Sequence, residues 1–340
     1  MSRLRIWRGV WLAAFAALLA GCSELPPEYA KKAGPAVQLE GGVTRLDLRF
    51  DCGTTKCAGW LYLPLAPAPA PVVVMASGFA GTRDVALPWF AERFAAAGFA
   101  VFLFDYRYFG ASGGAPRQLV NPWDQLDDWT AALAFVRTRG DIDASRIALW
   151  GSSMGAGHAL ITAARDGGVR GVFAQAPLVD TSVQGETNYF GALWLLRVVL
   201  TAWADLIAES IGRGPVMMPV FAKAGGFGMI VDDADYAAFE RLVEPGSTYR
   251  NDMAAHSVLT FDEYDPAQQA KHLDVPVLLL ASRTDRMVPF TAVEGFAAAH
   301  PRVRIEVFEG DHFDIYASPA RERAADLAIA FLREQLDAGP

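Results

Sequence analysis

Gly151-Ser152-Ser153-Met154-Gly155 sets a serine between two glycines in the order G-x-S-x-G. The apolar run Arg146–Trp150 precedes it, and small and apolar residues at helical spacing follow it from Met154 to Arg165. A strand, a sharp glycine turn and a helix would hold the Ser153 hydroxyl out at the carboxyl end of a sheet, where a base can reach it. Gly110-Ala111-Ser112-Gly113-Gly114 has the same spacing, but prolines at 116 and 122 follow it instead of a helix. Ser112 is therefore expected to be a loop residue.

A hydroxyl becomes a nucleophile only when a base takes its proton, and that base is usually a histidine oriented by a carboxylate. The chain has five histidines. His158 lies on the helix after Ser153, His256 and His272 lie in or beside an irregular segment, and His300 closes a helix before Pro301. His312, in Glu309-Gly310-Asp311-His312-Phe313, follows the last strand-like run, where a loop can place an imidazole over Ser153. Asp285 follows the run Val277–Leu280 and precedes a helix, so it is the expected carboxylate; its alternative role is to cap that helix. Asp180 and Asp314 are rival acids. Two backbone N–H groups must receive the charge that develops on the attacked carbonyl. Met154, next to Ser153, should supply one. Phe79, in the glycine loop Ser77-Gly78-Phe79-Ala80-Gly81, should supply the other.

These groups need a sheet to carry them. Strand-like runs recur at Val72–Ala76, Phe99–Phe104, Arg146–Trp150, Gly171–Gln175, Val275–Ala281 and Val303–Phe308. Helical patterns at Leu87–Ala97, Asp124–Thr138, Met154–Arg165, Pro289–Ala299 and Pro319–Leu336 alternate with them. Nearly all-apolar strands alternating with helices describe an α/β protein, with a mostly parallel, doubly wound sheet of about eight strands covered on both faces. The alternation lapses at about 178–270, too long for a loop, which predicts an inserted, mainly helical subdomain. Within it Tyr189–Ile211 reads as an apolar helix with one polar stripe, Arg197, Thr201, Asp205 and Glu209. Phe190, Leu193, Trp194, Leu200 and Trp203 would then either line an apolar substrate pocket as a lid or simply pack into the core.

The first residues hold Arg3, Arg5 and Arg8, then the apolar run Gly9–Ala20, too short to span a bilayer. Leu19-Ala20-Gly21-Cys22 resembles the bacterial lipobox. The resemblance implies a signal peptide at 1–21, cleavage before Cys22, acylation of Cys22 by fatty chains such as palmitate, and a tether at 22–40. Ser23 rather than Asp after the cysteine resembles outer-membrane sorting, so the main domain at 41–340 would face the periplasm. Cys52 and Cys57 remain; in an oxidising compartment they fit a disulfide across a hairpin, the alternative being two free thiols. The net charge is −8, and losing the three arginines of the leader makes it more negative still. An acidic chain without a basic patch is a poor nucleic-acid ligand. No cofactor or metal-binding motif is evident.

With these motifs in place, residues from about Val43 to Leu336 resemble the α/β-hydrolase superfamily. The resemblance rests on the Ser77–Gly81 loop, Asp105-Tyr106-Arg107-Tyr108-Phe109-Gly110-Ala111-Ser112, the Ser153 turn, Asp285 with Val288-Pro289, and Gly310-Asp311-His312-Phe313-Asp314. It is nearest to carboxylesterase, dienelactone-hydrolase and prolyl-peptidase-like members. Ser77 stands where many relatives have His, Tyr108 where the family motif has Gly, and Ser153 where dienelactone hydrolases have Cys. The resemblance implies hydrolysis of a small-molecule carboxylic ester through an acyl-enzyme, and the apolar helix of the insertion favours an apolar one. A serine peptidase, a thioesterase or acyltransferase, and a non-enzymatic envelope lipoprotein on the same scaffold are the alternatives.

Overall fold

In the computed structural model, residues 36–181 and 191–337 are described. Nine strands form one sheet in the order β1-β2-β3-β5-β4-β6-β7-β8-β9. They are β1 (Val37–Gln38), β2 (Thr44–Cys52), β3 (Thr55–Leu63), β4 (Ala70–Ala76), β5 (Ala100–Phe104), β6 (Ile142–Ser152), β7 (Val169–Gln175), β8 (Val277–Ser282) and β9 (Val303–Phe308). The first three strands pair antiparallel, and β3 meets β5 antiparallel. From β5 through β4, β6, β7 and β8 to β9 all pairing is parallel. The strand beyond the expected eight is the two-residue β1, whose exposed side chains give no apolar pattern to read.

Alternate residues feed two cores, as the two-residue strand period requires. Val72, Val74, Phe102, Phe104 and Leu149 point to one face, Val73, Met75, Leu103 and Trp150 to the other. Helices α2 (Pro122–Arg137), α3 (Met154–Arg165) and α7 (Phe290–Ala299) cover the first face, through Trp129, Leu160 and Phe296 among others. Helices α1 (Leu87–Ala96) and α8 (Ala320–Leu336) cover the second, through Phe90, Phe94, Phe331 and Leu332. The chain leaves β4 for β5 on one side and returns to β6 on the other. Where strand order reverses in this way, the loops at the carboxyl ends splay apart and open a crevice. The Ser77 loop follows β4, and Ser153 follows β6.

Cys52 and Cys57 are disulfide-bonded across the β2–β3 hairpin, with Cα atoms 5.8 Å apart. The insertion carries α4 (Ala192–Ser210), α5 (Asp233–Glu240) and α6 (Pro266–Gln269), with two short strand pairs between them. Helix α4 meets the sequence-based expectation in part: Trp194 lines the large cavity and Arg197 and Glu209 of the polar stripe are exposed, but one residue of the stripe turns inward and three of the apolar residues turn outward. Asp205, from the polar stripe, is fully buried, whereas Leu193, Leu200 and Trp203 are exposed. The cause is local donor demand. The Asp205 carboxylate accepts from Val216 N at 2.7 Å, His256 N at 2.9 Å and His256 Nδ1 at 2.7 Å. Three donors offset the desolvation of one carboxylate. Phe190 lies outside the described residues.

Candidate active site

The turn after β6 is as tight as the glycines suggested. Ser153 sits at φ 54°, ψ −123°, backbone that a side chain rarely adopts. A Cβ on Gly151 would lie 2.2 Å from the Gly155 carbonyl oxygen, and one on Gly155 would lie 2.3 Å from that of Ser77. Only hydrogens fit at both places, so the β4 and β6 loops press together and Ser153 is pushed outward.

His312 Nε2 lies 3.1 Å from Ser153 Oγ, and His312 Nδ1 lies 2.7 Å from Asp285 Oδ2. With Nδ1–H donating to the carboxylate, Nε2 is left as the acceptor for the serine proton. Asp285 Oδ1 accepts from Met287 N and Val288 N, each at 2.8 Å. Asp285 does not cap the helix, whose N-cap is Pro289 with no side-chain bond; one oxygen braces its own loop and the other orients His312. Both His312 and Asp285 are buried. Burial pulls the His312 pKa down, but the Asp285 charge and hydrogen bond, with Asp235 and Asp311 nearby, outweigh it and the net shift is upward.

The other candidates are engaged elsewhere. Ser112 Oγ donates to Asp105 O at 2.7 Å and accepts from Ala58 N at 2.8 Å, fully buried. His158 bridges Gln125 (2.9 Å) and Tyr264 (3.0 Å), and burial first, with Arg165 second, lowers its pKa to about 3. His300 donates to carbonyl oxygens of Phe296 or Ala270. Asp314 accepts from Asp311 N at 2.7 Å and so shapes the His312 loop. Tyr108, standing where the family motif has glycine, takes φ 75° and is held by its hydroxyl donating to Asp124 at 2.9 Å.

Two cavities meet at Ser153. A large one of about 740 Å³ is lined by Phe79, Met154, Leu178, Trp194, Val198, Ile230, Phe261 and Met287 among others. A small one of about 50 Å³ includes Ser77, Phe79, Phe239, His312 and Phe313. Phe79 borders both, beside Ser153. Met154 is the first residue of α3, so its N–H has no partner within the helix and lies at the positive end of the helix dipole.

One functional element escaped the sequence. Arg286, next to Asp285, donates to Asp311 Oδ2 at 2.5 Å, to Asp232 Oδ2 at 3.1 Å and to Asp235 Oδ1 at 3.3 Å. It thereby ties the start of α5 in the insertion to the loops that carry Asp285 and His312. The acids at 232 and 235, one helical turn apart at the start of a helix, were the available hint, but nothing local named their cation. Cys22, Phe190 and the tether before residue 36 lie outside the described residues. Among the described residues no helix is long and apolar enough to cross a membrane. The sole cluster with metal-ligand spacing among them is Cys52, Cys57 and Asp128, and both its sulfurs are consumed by the disulfide.

Several known proteins are similar to this chain. Over 288 residues it is 37% identical to the quorum-quenching protein AidA of Acinetobacter baumannii, covering 85% of this chain and 94% of that one. It is 28% identical to the thiohydrolase aneE of Aspergillus aculeatus, covering 83% and 90%. Among solved structures, the α/β hydrolase GrgF from Penicillium superposes with a TM-score of 0.75 at 22% identity, over 86% of this chain and 99% of that one. The model of the family described as serine aminopeptidase, S33 (Hydrolase_4) matches residues 67–313. With that match spanning the sheet from β4 to the His312 loop, the chain belongs to this family of α/β hydrolases.

Proposed function

We propose that the chain is a serine hydrolase that cleaves carboxylic esters of apolar acyl groups, tethered to the envelope membrane by lipid on Cys22. The observation that carries the chemistry is the relay from Ser153 Oγ through His312 to Asp285, at 3.1 and 2.7 Å, at the mouth of an apolar cavity. In this reading Ser153 Oγ bonds to the acyl carbon while its proton passes to His312 Nε2. The carbonyl oxygen takes the negative charge and is held by the Phe79 and Met154 N–H groups. The His312 imidazolium, stabilised by Asp285, then gives the proton to the leaving oxygen as the C–O bond breaks. Water, deprotonated by His312, attacks the acyl-enzyme; the acid leaves and Ser153 regains its proton.

In this reading the two cavities take the two halves of the substrate. A leaving group must sit beside His312, which borders the small cavity. The acyl chain then falls to the large apolar one. Thioesters are the second reading, favoured by the likeness to a thiohydrolase; the acyl half and the residues are unchanged. No residue of the proposed reaction calls for a cofactor or metal. The export reading rests on the lipobox-like Leu19-Ala20-Gly21-Cys22. The test is kcat/KM for p-nitrophenyl esters and acyl thioesters of rising acyl length, beside a proline-containing peptide amide. Hydrolysis of esters that strengthens with chain length supports the reading; hydrolysis of the peptide alone overturns it.

A further inference from the structure

Six of the ten large apolar side chains exposed among the described residues lie on one helix, α4. Leu193, Leu196, Leu200, Trp203 and Ile207 recur at helical spacing, so they form one ridge, and each is between 53% and 80% exposed. The opposite face of the same helix is not free: Trp194 and Val198 line the large cavity, and Asp205 holds His256. Helix α4 is therefore apolar on both sides, inward toward the cavity and outward toward solvent. A soluble domain rarely leaves so large a contiguous apolar patch without a use.

We propose that the outer ridge of α4 docks into the interfacial layer of a phospholipid membrane, with the helix lying in the membrane plane. Four observations favour lipid over a protein partner. The ridge is one helix wide, on a helix 19 residues and about 28 Å long at the usual rise per residue, which suits shallow insertion better than the broad area of a stable dimer. No carboxylate interrupts it from Leu193 to Ile207; its one charge there is Arg197, whose guanidinium lies 4.0 Å from the centre of the Phe227 ring. Trp203 stands in its middle, and tryptophan favours the headgroup boundary. Finally, the segment between Cys22 and the first described residue is 13 residues, 23–35. A chain of that length spans at most about 45 Å, so an acylated Cys22 would keep the domain close to its bilayer.

The proximity argument rests on the proposed acylation, but the docking itself does not require it. An apolar acyl substrate drawn from the bilayer would then enter a cavity roofed by the docked helix.

The test uses the unacylated chain from Ser23 onward, which retains the compact unit Ala33–Pro340. Its co-sedimentation with phosphatidylethanolamine–phosphatidylglycerol vesicles is measured, together with quenching of its tryptophan fluorescence by brominated lipid. The parent should bind, with little dependence on salt because the chain is acidic and the contact apolar. Leu200→Glu combined with Trp203→Glu should weaken binding roughly a hundred-fold, while circular dichroism and hydrolysis of a water-soluble acetate ester stay as in the parent. A parent that ignores vesicles overturns the proposal, as does undiminished binding by the variant. So does a dimer, seen by sedimentation velocity, that the two substitutions dissolve while vesicle binding is absent. Because vesicle binding is read without turnover, an inactive parent that still binds would count against the ester reading and not against this one.

Discussion

Asp285 holds His312 with one oxygen and its own loop with the other: Oδ2 meets His312 Nδ1 at 2.7 Å, and Oδ1 takes the Met287 and Val288 amides at 2.8 Å each. This division makes the Asp285→Asn variant informative. The amide oxygen will keep the two backbone donors, so the amide NH2 will face His312 Nδ1. The imidazole must then carry its proton on Nε2, where it can no longer accept from Ser153. The expected result is a fall in kcat of about 10³- to 10⁴-fold with a nearly unchanged melting temperature. A loss of less than ten-fold would detach Asp285 from the chemistry.

The raised pKa of His312 sets the acid limb of the pH profile. The imidazole must be neutral to take the serine proton, so activity falls as pH drops through that pKa. Asp285 is the main cause lifting it against burial, so the midpoint of kcat/KM should lie above the ordinary value of 6.5. Residual activity of Asp285→Asn should show a midpoint moved downward, because burial is then opposed only by the lesser influence of Asp235 and Asp311. An unmoved midpoint would mean that some other group limits the reaction.

Arg286 ties the insertion to the site, and its loss should depend on pH. Burial raises the Asp235 pKa to about 6, against an ordinary 3.8, even with Arg286 beside it. A carboxyl raised in the folded state favours folding at low pH, and that support is lost as pH rises from about 4 to 6. In Arg286→Met the ionised Asp235 loses its cation, so the variant should be destabilised more at pH 7.5 than at pH 5. Differential scanning calorimetry at the two values checks this, and kcat/KM should drop about ten-fold as the Asp285 and His312 loops loosen. Equal destabilisation at both values would remove Asp235 from the account.

Both cysteines of the β2–β3 hairpin are fully buried. The loop they close is short, so chain-entropy gain is small and Cys52→Ala with Cys57→Ala should cost about 2 kcal/mol or less. Urea unfolding measures it. Two alkylatable thiols in unreduced protein exported to the periplasm would refute the bond.

Selectivity for acyl length follows from the large cavity. Each buried methylene contributes about 0.8 kcal/mol, so kcat/KM should rise roughly four-fold per carbon until the cavity is full. Trp194→Ala should lengthen the preferred chain, because Trp194 lines the wall. A flat profile in the parent would place the acyl chain elsewhere.

The strands and the Ser153 turn were legible because their causes are local. A strand buried on both faces must be apolar throughout, and the strained turn admits only Gly151 and Gly155. His312 followed from chain order once the strands were placed. The burial of Asp205 and the exposure of Leu193, Leu200 and Trp203 were not legible, since a stripe of Arg197, Thr201, Asp205 and Glu209 ordinarily marks the solvent side, as Arg197 and Glu209 do here. Asp205 points inward only because Val216 and His256, far along the chain, bring three donors to it. Arg286 was hidden for the same reason: its partners Asp232 and Asp235 come from the insertion. Contacts made over distance leave no periodicity to read.

The central claim is that Ser153 forms the acyl-enzyme. The direct measurement is mass mapping of the peptide modified by a fluorophosphonate probe, in the parent and in Ser153→Ala, Ser152→Ala and Ser112→Ala. The account predicts one modified peptide, labelled on Ser153, present in all but Ser153→Ala. Full labelling of Ser153→Ala at another serine, or none in the active parent, would contradict it.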